Sequence, residues 1–275
     1  MRQLPVNSWT VITGAASGFG RALALELARE GKRLLLADIQ EAGLEETAQL
    51  ARAAGAAEAK TLLCDVTQID QVRALSAACT DAPIALLINN AGVATTGLFE
   101  EISIEDWKWT LDIDLFGVIH GCHVFLPRFR QQGWGKIMNI ASAAGLVGMP
   151  RLPAYNTAKA GVVALSETLA AELKGTDITV TVVCPTFFQT SIMDAARFTD
   201  RSLHRMGDQL IRAGLTADVV ARRALRSARK GQLYAIPMWD GRFAWWLKRL
   251  FPTFVPGFLR SASDLTLKLM GAKNA

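Results

Sequence analysis

Short apolar runs recur along this 275-residue chain, and a longer helical pattern follows most of them. The runs are Trp9–Thr13, Arg33–Ala37, Thr61–Cys64, Ile84–Ile88, Lys136–Ile140, Ile178–Val183 and Gln232–Ile236. Helical patterns between them include Arg21–Glu30, Leu44–Ala54, Gln71–Cys79 and Ala160–Leu173. The runs are apolar throughout rather than alternating, as strands are when both faces are covered. Strand–helix alternation gives βαβ units, and right-handed crossovers assemble them into a parallel sheet. The expected fold class is α/β, a doubly wound parallel sheet. No Pro/Gly/Ser-rich linker and no fixed repeat divides the pattern, so a single domain is expected.

Composition excludes several other classes. Hydrophobic residues make up 51% of the chain and charged residues 20%, which does not suit a disordered protein. No apolar run reaches the ~18 residues of a membrane span. The N-terminus lacks the apolar core and cleavage site of a secretory signal, so a cytoplasmic protein is expected. Cys64, Cys79, Cys122 and Cys184 are scattered without a CxxC pair and read as reduced thiols. His120 and His123 form an HxxH pair with no third ligand nearby, so no metal is expected. Charge is uneven: residues 221–275 carry +9 and residues 1–220 carry −4.

The first strand runs into Thr13-Gly14-Ala15-Ala16-Ser17-Gly18-Phe19-Gly20, and a helix pattern follows at once. Glycines let backbone approach a ligand closely, and the helix start offers free N–H groups to a phosphate. Asp38 ends the second strand, where a carboxylate can accept hydrogen bonds from a ribose and repels a 2′-phosphate. NAD is therefore expected over NADP; the plainer reading is that Asp38 caps the next helix.

Ser142 follows the fifth strand, and Tyr155 and Lys159 come after it. Tyr and Lys at i and i+4 share one helix face. A free tyrosine has a pKa of ~10, and bringing it near 7 takes ~4 kcal/mol. One positive charge ~4 Å away at an effective dielectric of ~20 supplies about that much. Lys159 can carry this charge while Ser142 holds a substrate oxygen. Alone, each has a plain reading: a turn residue, a core aromatic and a solvated cation.

Together these segments resemble the short-chain dehydrogenase/reductase family. The likeness runs from residue 9 to about 190, and more weakly to about 236. Its further marks are Asp65-Val66, Asn89-Asn90-Ala91-Gly92, and Pro185 with Thr190. The resemblance implies a Rossmann-type fold of about seven strands, assembled as a homodimer or homotetramer. It places Gly14, Ser17, Gly18, Phe19 and Gly20 along the cofactor pyrophosphate. Asp38 would meet the ribose, and Asp65 and Val66 the adenine. Asn90 and Gly92 would support the cofactor, and Pro185 and Thr190 would meet the nicotinamide. Tyr155 would exchange the proton, Lys159 would bind the nicotinamide ribose and lower the tyrosine pKa, and Ser142 would orient the substrate. Two positions depart from the family. Asp114 stands where an Asn commonly helps hold a proton relay, and is kept among the catalytic candidates. Thr186 replaces a common Gly after Pro185.

The implied reaction is hydride transfer between NAD(H) and a secondary alcohol or ketone. The alternatives are an NADP-dependent carbonyl or oxoacyl reductase, and a non-catalytic dinucleotide-binding protein. Residues 1–238 would form the catalytic domain, with a variable lid over about 187–215. Phe187, Phe188, Ile192, Met193, Phe198, Leu203 and Met206 make that lid apolar, which suits a lipid-, steroid- or aromatic-like substrate; the plainer reading is core or dimer packing. Residues 239–275 form a basic, aromatic-rich extension with Trp239, Phe243, Trp245 and Trp246 beside Arg242, Lys248 and Arg249. That composition is read as a peripheral membrane contact, a subunit contact or a cover over the pocket. No motif supports nucleic-acid binding.

Overall fold

The computed structural model describes residue 5 and residues 7–269. Seven parallel strands form one sheet in the order β3-β2-β1-β4-β6-β7-β9. Numbered along the chain, they are β1 (Trp9–Thr13), β2 (Arg33–Asp38), β3 (Glu58–Leu63), β4 (Ile84–Asn89), β6 (Trp134–Ile140), β7 (Asp177–Val183) and β9 (Tyr234–Ala235). Two short strands, β5 (Thr95–Thr96) and β8 (Arg197–Phe198), pair apart from this sheet.

Each main strand overlaps the apolar run expected for it. β3 starts earlier than expected because it lies at the sheet edge, where Glu58 and Lys60 remain accessible. β9 shrinks to two residues because it pairs with β7 only at Val182 and Val183. The β5–β8 pair carries no sequence signal, since two-residue strands have no periodicity to read.

Successive strand residues point to opposite faces, so each central strand feeds two cores. Ile12, Leu34, Leu36 and Ile88 pack with α1 (Gly18–Ala28), α2 (Glu41–Ala53) and α9 (Ala217–Arg229). Val11, Leu35, Ala37 and Leu87 pack with α3 (Ile69–Ala77), α5 (Gly117–Gln132) and α7 (Pro153–Glu172). The other helices are α4 (Ile104–Leu111), α6 (Ala143–Val147), α8 (Arg201–Ala213), α10 (Trp239–Leu250) and α11 (Phe254–Leu269). Strand order reverses between β1 and β4, which opens a crevice at the C-terminal ends of the strands.

A buried polar chain braces the sheet below that crevice. Asn89 Nδ2 donates to Asn139 Oδ1 at 2.9 Å, and Asn139 Nδ2 donates to Ser166 Oγ at 3.0 Å. Ser166 Oγ donates to Val162 O at 2.7 Å, so β4, β6 and α7 are linked. α5 closes on this chain only because residue 121 is glycine: a Cβ there would lie 2.0 Å from Asn89 Oδ1. Gly121→Ala should therefore overpack the core at a cost of ~1–3 kcal/mol. Thermal unfolding should show Tm lowered by several degrees; an unchanged Tm would mean that α5 can shift without cost.

Candidate active site

The loop after β1 turns through Gly14 and Gly18, at φ +64° and +52°. A Cβ on Gly20 would lie 2.0 Å from Gly14 O, so the loop packs this tightly only with glycine there. Asn90, just past β4, ties the loop down: its Nδ2 donates to Thr13 O at 2.9 Å and Gly14 O at 3.0 Å. Ser191 Oγ donates to Ser17 Oγ at 2.9 Å, and Phe188 meets Phe19 edge-on at 5.0 Å. The segment after β7 therefore reaches back to the glycine loop.

Asp38 ends β2 with both carboxylate oxygens oriented. Oδ2 accepts the Ala16 N–H at 2.9 Å and Oδ1 the Gln40 N–H at 3.0 Å. Gln40, not Asp38, is the cap of α2. Arg21 donates to Ala16 O of the glycine loop and to Glu46 of α2, both at 2.6 Å.

Ser142 caps α6, its Oγ accepting the Ala144 N–H at 3.1 Å. α7 begins at Pro153, a favoured first helical residue, and carries Tyr155 and Lys159 one turn apart. The Lys159 ammonium lies 5.5 Å from the centre of the Tyr155 ring and donates to Ile140 O at 3.2 Å. α6 lies against α7 at Gly145, where a Cβ would be 2.6 Å from Lys159 O.

Asp114 enters this group through a π-helical turn, Asp112–Phe116, between α4 and α5. Such turns are often found at functional sites. Asp114 is fully buried. Its Oδ1 accepts the Val93 N–H at 2.7 Å. Its Oδ2 lies 3.1 Å from Lys159 Nζ, within ion-pair reach but without an aligned hydrogen bond. Gly92 leaves room for the pair, since a Cβ there would sit 3.3 Å from both Asp114 Oδ1 and Lys159 Nζ.

Burial by itself lowers the Lys159 pKa, but the Asp114 carboxylate and then Tyr155 more than offset this and raise it. Burial pushes Asp114 above the usual carboxylate range, while Lys159 and the Val93 N–H pull it back. Tyr155 corrects one expectation. Lys159 does pull its pKa down, as does the facing Ser142 hydroxyl, yet the net direction is up. Burial is the largest cause, and the Asp114 charge adds to it.

The glycine loop, Asp38, Ser142, Tyr155 and Lys159 border one cavity of about 810 Å³. Every residue expected to bind cofactor or perform chemistry lines it except Gly20 and Asp114. Gly20 packs under the loop, and Asp114 stands behind Lys159. Asp65 also shapes its own loop, with Oδ1 accepting the Thr67 N–H at 2.9 Å. His120 Nδ1 donates to Val66 O at 2.8 Å. Among the described residues, no three His, Cys, Asp or Glu side chains gather to hold a metal.

Residues of the extension also line this cavity, which no motif had marked. Ala244 of α10 and Leu259, Ala262 and Thr266 of α11 face it. α10 seats on Thr186: a Cβ on Gly241 would lie 2.9 Å from Thr186 Cγ2. Lys248 Nζ donates to Leu146 O at 2.8 Å, and Arg151 lies 3.6 Å from Asp264 of α11. Of the three readings of the extension, covering the pocket is therefore met by the described residues. The end of the extension, residues 270–275 with Lys273, lies outside them.

Residues 8–201 match the sequence profile of the family described as short chain dehydrogenase. The chain is 37% identical over 185 residues to a D-threitol dehydrogenase of Mycolicibacterium smegmatis, covering 66% of this chain and 70% of that protein. It superposes on a short chain dehydrogenase/reductase of Burkholderia phymatum in complex with NAD. That match has a TM-score of 0.85 and 34% identity, covering 90% of this chain and 95% of the other. An actinorhodin polyketide ketoreductase with NADPH matches with a TM-score of 0.74 and 29% identity, covering 86% of this chain and 98% of the other. With its seven-stranded sheet and its Ser142, Tyr155 and Lys159, the chain belongs to the short-chain dehydrogenase/reductase family, whose members are oxidoreductases acting on alcohol or ketone groups.

Proposed function

We propose that the chain transfers hydride between NAD(H) and an apolar secondary alcohol or ketone. The observation that carries this reading is a single cavity that joins Asp38 at one end to Ser142, Tyr155 and Lys159 at the other. The glycine loop fits a dinucleotide: positive-φ glycines and the start of α1 leave backbone N–H groups for a pyrophosphate. Asp38 would accept the ribose hydroxyls, Asp65 and Val66 would border the adenine, and Pro185 and Thr190 the nicotinamide. Bound NAD supplies the hydride acceptor, and its reduced form the donor.

NAD is favoured because the Asp38 end of the cavity is formed by Asp38, Ile39, Gln40, Cys64, Asp65 and Val66, without a Lys or Arg. Arg21, the near candidate for a 2′-phosphate, is held by Glu46. Ser142 would donate its hydroxyl proton to the substrate oxygen while one of its lone pairs accepts the Ala144 N–H. Tyr155 would take the proton of an alcohol or give one to a ketone. Lys159 would stabilise the phenolate, and Asp114 would keep Lys159 charged.

The substrate part of the cavity is walled by Val93, Val147, Met149, Ile192, Met193, Leu203 and Met206. These walls suit a hydrocarbon body rather than a polyol. The reading extends to a cytoplasmic homodimer or homotetramer, with peripheral membrane contact through the extension.

Steady-state rates with NADH and NADPH, on ketones of rising chain length, test this directly. NADH and the longer ketones should give the higher kcat/KM; a strong NADPH preference would remove the argument from Asp38. Tyr155→Phe should lower kcat by ~10²-fold or more. Asp114→Asn removes a charge that raises the Tyr155 pKa, while Ile140 O still holds Lys159. The acid limb of alcohol oxidation, along which Tyr155 must lose its proton, should then move to lower pH, by roughly one pH unit. A move to higher pH would show instead that Lys159 loses its proton without Asp114.

A further inference from the structure

The apolar residues of the extension divide into two sets. Ala244, Leu259 and Ala262 face the cavity, and Val255 is buried beneath. Trp245 packs on Tyr234 with ring centres 5.0 Å apart. The other set faces outward. On α10 it comprises Trp239, Phe243, Trp246 and Leu250, spaced i, i+4, i+7 and i+11 along one helix face. Trp239 is 78% exposed, Trp246 58% and Phe243 55%. On α11, Phe254 and Phe258 stack at 6.1 Å and are 62% and 56% exposed. Phe251 between the helices is exposed as well.

This is a contiguous stretch of large apolar groups open to water, which a soluble surface rarely keeps without use. Its charge favours one occupant. Arg242, Arg249 and Arg260 are exposed on the same two helices, Arg242 donating to Ile236 O at 2.8 Å and Arg249 lying over the Trp245 ring at 4.4 Å. The acids of α10 and α11 are Asp240, which borders the cavity, and Asp264, which lies near Arg151 and Arg260. Tryptophan and phenylalanine flanked by arginine is the composition of a helix lying in a lipid interface, with guanidinium groups at the level of anionic headgroups. No helix among the described residues is long and apolar enough to cross a membrane, so the contact is to one surface.

We propose that α10 and α11 form a two-sided roof whose inner face closes the substrate cavity and whose outer face docks on an anionic lipid bilayer. A lipid-like alcohol or ketone then passes from the bilayer, under the same two helices, to Tyr155. The docking rests on the membrane contact proposed above, to which it gives a face and a lipid charge; the entry route rests on the apolar-substrate reading as well.

The test uses the full chain and sedimented vesicles of phosphatidylcholine, with and without phosphatidylglycerol. The wild type should bind the anionic vesicles and bind the neutral ones at least tenfold more weakly. Phe243→Glu with Trp246→Glu should abolish binding while leaving kcat/KM for a short, water-soluble ketone unchanged. Arg242→Gln with Arg260→Gln leaves the apolar stripe intact and should weaken only the anionic component. A long-chain ketone should turn over faster from anionic vesicles with the wild type than with the Phe243/Trp246 variant, and equally with both from detergent.

Failure of the wild type to bind anionic vesicles would overturn the docking. So would a Phe243/Trp246 variant that merely dissociates an oligomer and binds vesicles as before. Vesicle binding without turnover of any long-chain ketone in detergent would overturn the apolar-substrate reading and the entry route, and leave the docking standing.

Discussion

Lys159 and Asp114 face each other 3.1 Å apart, with side chains almost wholly removed from water. Desolvating two charges costs several kcal/mol per ion, so this pair survives only where the surroundings hold it in place. Four elements do so. Lys159 belongs to α7, and Asp114 to the π-helical turn before α5. Val93, past the end of β4, donates to Asp114, and Ile140 at the end of β6 accepts from Lys159. The geometry of the site is thus set by two cores and the sheet between them. Gly92, Gly121 and Gly145 matter for one shared reason: each lets an element come closer to this centre than a side chain would allow.

The pair also sets the electrostatics of Tyr155. One cation near a phenol lowers its pKa, but burial and a nearby carboxylate raise it. In the free protein burial prevails and favours the neutral phenol, the form that can give a proton. Oxidised NAD carries a positive nicotinamide ring, a further charge of the sign that stabilises the phenolate. Asp114 thus brings a buried carboxylate to this centre. Its charge raises the pKa of both Lys159 and Tyr155.

Much of this was legible in the sequence because the same physics writes both. Continuous apolar runs reported a sheet covered on both faces, and the glycine loop, Asp38, Ser142, Tyr155 and Lys159 fell where strand ends and helix starts must lie. The misses have physical reasons. The net rise in the Tyr155 pKa depends on burial, which spacing does not report. The seat of α10 on Thr186 requires a glycine 55 residues further on, at Gly241, and no local pattern links the two. The composition of the extension showed aromatic and basic groups but not their division into inner and outer faces, which follows from how α10 and α11 pack.

The central claim, that Tyr155 is the proton carrier and is tuned by the charges around it, can be read from tyrosinate absorbance near 295 nm. The chain has only two tyrosines. Tyr234 donates to Glu167, and burial together with that carboxylate pushes its pKa up to about 12. A pH titration of the wild type and of Tyr155→Phe, with and without NAD, therefore isolates Tyr155. One ionisation should lie above the ordinary tyrosine range in the free protein, move to lower pH when NAD is added, and be missing from Tyr155→Phe. An ionisation of Tyr155 that NAD leaves unmoved would contradict it.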